Sequence, residues 1–66
     1  MFLKLTNANE SQHGQSIVIN SDMIVSINRS FAERNGELHE ITFVFIPPHG
    51  TWEVQETLDE ILEMLE

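Results

Sequence analysis

Three histidines are the side chains in this sequence best suited to metal binding or proton transfer. His13, His39 and His49 are spaced at intervals that match no metal-ligand motif. Two of them, His13 and His49, fall in polar or proline-containing stretches that are typical of loops. We therefore interpret all three as solvated histidines, and we expect neither a metal site nor a cofactor.

Carboxylates are the second group with chemical potential. The chain has 11 Asp and Glu residues but only 3 Lys and Arg, which gives a net charge of −8. Paired carboxylates catalyse proton transfer only where a cleft perturbs their pKa values, and a chain of 66 residues has little interior for one. The C-terminal acids also lack the pattern of a calcium-binding EF-hand loop. We expect these acids to be solvated.

Other catalytic motifs are absent from the sequence. There is no cysteine, and therefore no thiol nucleophile, thiolate metal site or disulfide. There is also no Gly-x-Ser-x-Gly, no glycine-rich phosphate loop and no dinucleotide-binding fingerprint. We conclude from the sequence that the protein is not an enzyme.

The charge balance restricts the partners. An excess of acid repels nucleic-acid backbones and anionic membrane surfaces, so we expect no direct nucleic-acid binding and no membrane binding. The negative surface either provides solubility or meets a basic protein partner. Apolar runs such as residues 43–46 are far shorter than the roughly 20 residues of a membrane span, and residues 1–4 do not resemble a secretory signal. We expect a cytoplasmic location.

Alternating or β-branched apolar residues predict five strands, at residues 2–6, 16–20, 23–30, 38–46 and 51–54. Residues 7–14 are polar and end in Gly14, which predicts a loop. Asn35-Gly36 predicts a type I′ hairpin, because both residues tolerate positive φ. Pro47-Pro48-His49-Gly50 ends the fourth strand, since proline donates no ladder hydrogen bond.

The C-terminal segment has the pattern of an amphipathic helix. Thr57 and Glu60 have the spacing of a capping box. One face carries an apolar stripe, and the other an acidic face. The stripe is Leu58, Ile61, Leu62 and Leu65; the acidic face is Asp59, Glu63 and Glu66. The sequence therefore predicts one α+β domain, residues 1–66, in which a small antiparallel β-meander of about five strands carries one C-terminal amphipathic helix packed on the sheet.

The fourth strand is apolar on both faces. One face holds Ile41, Phe43 and Phe45, and the opposite face holds Leu38, Val44 and Ile46. The helix covers only one face, so the other is covered by a further strand layer, a sister subunit or a partner, or else by sheet twist and loops.

Aromatic side chains and the lack of a disulfide also bear on association. Trp52 is either a core anchor between sheet and helix or an interface hot spot. Phe31 precedes the Asn35-Gly36 turn and has little core to enter. A small domain without a disulfide is commonly reinforced by self-association, so we predict a homo-oligomer. The predicted interface residues are Phe31, Leu38, Val44 and Ile46.

The order of these motifs resembles the small flagellar FlbD-like proteins. Three segments carry the resemblance: Leu3-Lys4-Leu5-Thr6, the apolar pair around Ile19-Asn20 and Ile24-Val25-Ser26-Ile27, and Val54-Gln55-Glu56-Thr57-Leu58-Asp59-Glu60-Ile61. The long arm at residues 30–40 and the Pro47-Pro48-His49-Gly50 turn depart from the family pattern, and similar short proteins occur in phage. The resemblance implies the same fold, a flagellar accessory role and no catalytic residues.

These observations leave three functional hypotheses. The first is a small non-enzymatic module that binds proteins and self-associates. The second is an acidic inhibitor or nucleic-acid mimic directed at a basic protein, with Asp59, Glu63 and Glu66 as its contact face. The third is the flagellar accessory role implied by the resemblance.

Overall fold

The computed structural model describes residues 1–66 and contains five strands and one α-helix. The elements are β1 (Phe2–Thr6), β2 (Ser16–Asn20), β3 (Ser26–Arg34), β4 (Glu37–Ile46), β5 (Gly50–Val54) and α1 (Leu58–Met64). Short 3-10 turns at Glu10–Gln12 and Ser21–Met23 lie in the first two connections. The predicted fold class, five antiparallel strands with a C-terminal helix, is confirmed.

The strands form two antiparallel sheets, β1-β2 and β3-β4-β5. An isolated bridge between Asn7 and Val54 joins them where β1 ends. The Ala8 N–H donates to the Glu53 carbonyl and the Gln55 N–H donates to the Thr6 carbonyl, each at 2.8 Å. The spatial order is therefore β2-β1-β5-β4-β3, in which β2 and β3 are the two edge strands.

The third strand differs most from its predicted bounds. It begins at Ser26, because Asn20 caps a 3-10 turn by accepting a hydrogen bond from the Asp22 N–H. It continues to Arg34, since every residue from Ser26 onward is paired with β4. Cross-strand pairing thus extends the strand through a polar stretch that has weak β propensity of its own. The predicted hairpin turn is confirmed, with Asn35 at φ 55° and Gly36 at φ 80°.

The core lies between the β1-β2 hairpin, the three-stranded sheet and the helix. Its buried members are Leu3, Leu5, Ile19, Val44, Ile46, Val54 and Ile61. Each buried aliphatic side chain of this size contributes about 1.5–3 kcal/mol relative to an exposed one. The β1-β2 hairpin is therefore the further strand layer on the Val44 face of the sheet.

Two predicted interface residues are core residues instead. Val44 is 0% exposed and Ile46 is 6% exposed. The prediction that a partner contacts them is wrong for the folded chain, because β1 and β2 already cover this face. Periodicity showed that the face was apolar, but it did not show that the first hairpin folds back onto it.

The helix forms as predicted at its start but packs through less of its stripe than expected. Thr57 Oγ1 accepts a hydrogen bond from the Glu60 N–H, and Glu60 accepts one from the Thr57 N–H, which completes the capping box. Ile61 is completely buried, whereas Leu62 and Leu65 are 46% and 36% exposed. The seven-residue helix therefore anchors on the core mainly through Ile61.

Candidate interaction surface

The outer half of the β3–β4 hairpin extends beyond the three-stranded part of the sheet. β5 pairs with β4 only between Thr42 and Ile46. Residues 30–41 therefore form a two-stranded arm with no third strand beside it. We call this segment the arm.

Two large apolar side chains are exposed on the arm. Phe31 is 58% exposed and Leu38 is 72% exposed. Phe31 lies opposite Glu40 and Leu38 lies opposite Glu33, so the two apolar residues are diagonal neighbours on one face. The structure thus brings together two of the four predicted interface residues and removes Val44 and Ile46 from the set.

Arg34 holds the other face of the arm against the loop between β1 and β2. Its Nη1 donates to the Ala8 carbonyl at 2.6 Å. Its Nε lies 3.4 Å from a carboxylate oxygen of Glu10, and its Nη2 lies 3.6 Å from one of Glu53. The guanidinium therefore ties three parts of the chain together, and each of its three nitrogens faces an oxygen.

This loop also covers part of the second apolar face of β4. Ile41 and Ala8 are both buried where the loop lies against the sheet. Phe43, further along the strand, is half-buried, and Phe45 at the far end is 39% exposed. The loop therefore covers the Ile41 end of this face, and the Phe45 end stays open.

Two residues of the predicted acidic face, Asp59 and Glu63, lie on the helix, and Glu66 lies just beyond its end at Met64. Asp59, Glu63 and Glu66 are all exposed, and none lies within ion-pair distance of a cation. A fourth acid, Glu60, is held by the capping box. Hydrogen bonds from the backbone and then the side chain of Thr57 lower the pKa of Glu60 below its ordinary value of 4.5. The charged side chains that the helix presents are thus all negative, and none is basic.

The structure brings two of the three histidines into one open groove. His13 from the loop and His39 from β4 line a cavity of about 640 Å³ together with Glu10, Arg34 and Glu40. His39 Nε2 lies 3.8 Å from Glu37, and His13 lies 3.2 Å from the Gln55 amide. No three His, Asp or Glu side chains are placed to hold a metal ion. Sequence reasoning missed this groove because nothing in the spacing shows that the loop meets the arm.

A second, mostly apolar groove lies beside Trp52. Its volume is about 310 Å³, and its walls include Ile17, Met23, Ile46 and His49. Trp52 is half-buried and packs against the core on the side of β2. Its indole therefore has a packing role beside β2, and a role as an interface hot spot stays a prediction.

No helix in the structure has the length and apolar character that crossing a membrane requires. Comparison with protein-family models, with curated proteins and with solved structures found no match to this chain.

Proposed function

We propose that this chain is a small, non-enzymatic, protein-binding module that associates with itself through the arm. The observation that supports it most strongly is the pair Phe31 and Leu38, exposed together where no third strand covers the hairpin. Burying such a pair against a partner removes a large apolar area from water, which is the main driving force for association. The chain has no cysteine, so no disulfide stabilises the monomer.

The groove that contains His13, His39 and Arg34 supports the same interpretation. It is wide and open to solvent, whereas sites for small substrates enclose most of the ligand surface. Arg34 in this groove is already engaged by Ala8, Glu10 and Glu53. Its contacts explain the arginine as a structural tie rather than as a substrate-binding group.

Light scattering over a range of concentrations tests this proposal. We expect the wild-type chain to self-associate and a Phe31→Ser/Leu38→Ser variant to be monomeric at the same concentrations. The matched control is Phe2→Ser/Val18→Ser, which removes an exposed phenylalanine and an exposed aliphatic residue from the first hairpin. A wild-type chain that stays monomeric at high micromolar concentration rules out self-association. Equal effects of the two double variants rule out the arm as the contact surface.

A second proposal is an acidic inhibitor or nucleic-acid mimic that binds a basic protein. It is supported by the exposed carboxylates of Asp59 and Glu63 on a helix without basic residues, and by that of Glu66 just after it. Such a contact weakens as salt rises, since exposed charges are screened. We expect reversal of these three charges to lysine to abolish capture of a basic partner, while circular dichroism stays unchanged. The control is reversal of the charges of Glu37 and Glu40 on the arm. If the helix variant still captures the basic partner, the proposal is contradicted.

The resemblance to FlbD-like proteins supports a third proposal, a flagellar accessory role. The genes next to this one test it, because flagellar neighbours support the role and phage neighbours oppose it. We also propose a cytoplasmic location, as the sequence leads us to expect. Cell fractionation checks this, and recovery of the chain outside the cytoplasmic fraction would contradict it.

A further inference from the structure

We infer that the free edge of β3 is the contact surface and that it pairs with β3 of a second copy, antiparallel and centred on Phe31. This inference rests on the proposed self-association and names its geometry. β3 is an edge strand of nine residues whose only strand partner is β4, and the helix also approaches it. Such an edge is a template for a further strand.

Alternate residues of β3 present their backbone groups at this edge, and the strand pairing shows which ones. The two hydrogen bonds around the Asn7–Val54 bridge involve the backbone of Glu53 and Gln55, so Val54 directs its own N–H and C=O toward β4. Val54 lies opposite Thr42, and Thr42 lies opposite Arg29. Because backbone direction alternates along a strand, Arg29 directs its groups away from β4.

The hairpin turn gives the same result independently. In a two-residue hairpin the residues that flank the turn, here Arg34 and Glu37, form a hydrogen-bonded pair. Alternate residues of β3 therefore face outward with their N–H and C=O groups. These residues are Ile27, Arg29, Phe31 and Glu33.

These outward-facing residues permit several registers for the antiparallel pairing of β3 with β3 of the second copy. The charges of Arg29 and Glu33 favour one of these registers. Centred on Phe31, the antiparallel pair places Arg29 of each copy opposite Glu33 of the other and sets the two Phe31 side chains opposite each other. Centring on Arg29 or on Glu33 places like charges face to face, which is destabilising. Centring on Ser30 or Ala32 places Glu33 opposite an apolar side chain. The edge is therefore self-complementary about Phe31.

Arg29 and Glu33 form no ion pair within the chain. Both are exposed. They stand four residues apart on one strand, about 13 Å, which is too far for them to pair with each other. β3 also carries Arg29 and Arg34, two of the three basic residues of a chain with net charge −8. A second acidic copy therefore meets least repulsion along this edge.

The other edge strand, β2, is the alternative contact for a second copy. It has five residues and no charged side chain, so it offers fewer backbone bonds and no charge pair to set the register. Val18 at its centre is exposed, and it provides a control position on this edge.

Complementary charge reversal tests the register directly. The variants are Arg29→Glu and Glu33→Arg, each measured alone, mixed in equal amounts, and combined in one chain, by sedimentation equilibrium. We expect each single variant to raise the dimer dissociation constant about tenfold, because two opposite-charge pairs become like-charge pairs. In the mixture, the two acidic side chains of one variant face the two basic side chains of the other, so heterodimers form with near wild-type affinity. The double variant recovers as well, because each pair again joins opposite charges.

The outcomes separate this inference from the proposed function. A wild-type dimer that both single variants leave unchanged, or a mixture that fails to recover, overturns the Phe31-centred register while self-association stands. A dimer that Val18→Arg weakens and Arg29→Glu does not would place the contact on β2. This result also overturns the Phe31-centred register. A wild-type chain that remains monomeric overturns self-association and this inference together. Recovery in the mixture, with Val18→Arg still dimeric, supports it.

Discussion

The carboxylate of Glu56 accepts two hydrogen bonds from Thr6, one from its N–H and one from its hydroxyl, both at 2.8 Å. The two residues are 50 positions apart. The Glu56 carbonyl also accepts a hydrogen bond from the hydroxyl of Thr42, which is completely buried, at 2.7 Å. One residue thus joins the end of β1, the middle of β4 and the segment that leads into the helix.

Glu56→Ala is therefore expected to lower the free energy of unfolding by about 1–3 kcal/mol, because it leaves partly buried donors of Thr6 unpaired. Urea denaturation measures the loss. The control is Glu66→Ala, an exposed acid without a side-chain hydrogen bond, for which we expect a change within about 0.5 kcal/mol. Equal losses from the two variants would show that Glu56 acts only through net charge.

Arg34→Ala is expected to loosen the loop between β1 and β2, since it removes the bond to the Ala8 carbonyl and both ion pairs. The loop amides of Asn7 and Gly14 are hydrogen-bonded within the loop region, so their hydrogen exchange should accelerate more than that of core strand amides. Arg29→Ala, an exposed arginine without an ion pair, is the control. Unchanged exchange at Asn7 and Gly14 in Arg34→Ala would contradict the prediction.

The helix should depend on Ile61 much more than on its neighbour in the stripe. Ile61→Ala empties a fully buried position and is expected to cost about 2–5 kcal/mol. Leu62→Ala truncates a side chain that is 46% exposed, and its expected cost is within about 0.5 kcal/mol. Thermal and urea unfolding of the two variants decide the matter. A large loss from Leu62→Ala would mean that the helix packs through the whole stripe.

Acid should weaken the helix cap through Glu60. Its pKa is lowered by the hydrogen bonds with Thr57, so the folded state favours the carboxylate. This contribution is present above the ordinary pKa of 4.5 and is lost as the pH falls through the lowered folded-state value. Glu60→Gln removes the titrating group, so its stability should fall less than that of the wild type between about pH 7 and pH 3. Parallel acid profiles for the two proteins would exclude this role.

Local chemistry was predictable from the sequence, since the interactions that cause it span only a few residues. The capping box joins Thr57 and Glu60, three positions apart. The Asn35-Gly36 turn needs only two residues that tolerate positive φ, and both adopt it. The same turn signal placed Phe31 on a hairpin arm, and Leu38 was predicted to begin the strand after the turn; both are exposed.

Bounds and burial were less predictable, because they depend on pairing between strands. β3 extends to Arg34 because β4 supplies a partner for each of its residues, although its own sequence turns polar after Ile27. Leu62 and Leu65 fit the helical stripe as well as Ile61 does, yet a helix of seven residues brings only Ile61 fully into the core.

By itself, the sequence determined the class of the domain, its turn and cap chemistry, its acidic helix face and the apolar character of both faces of β4. Tertiary structure alone decided that the first hairpin buries Val44 and Ile46, that Arg34 holds the loop, and that β3 is left as a free edge. The physical reason is distance along the chain. Alternation and capping act between near neighbours, whereas covering a face or leaving an edge open depends on contacts such as Arg34 with Ala8, 26 positions apart.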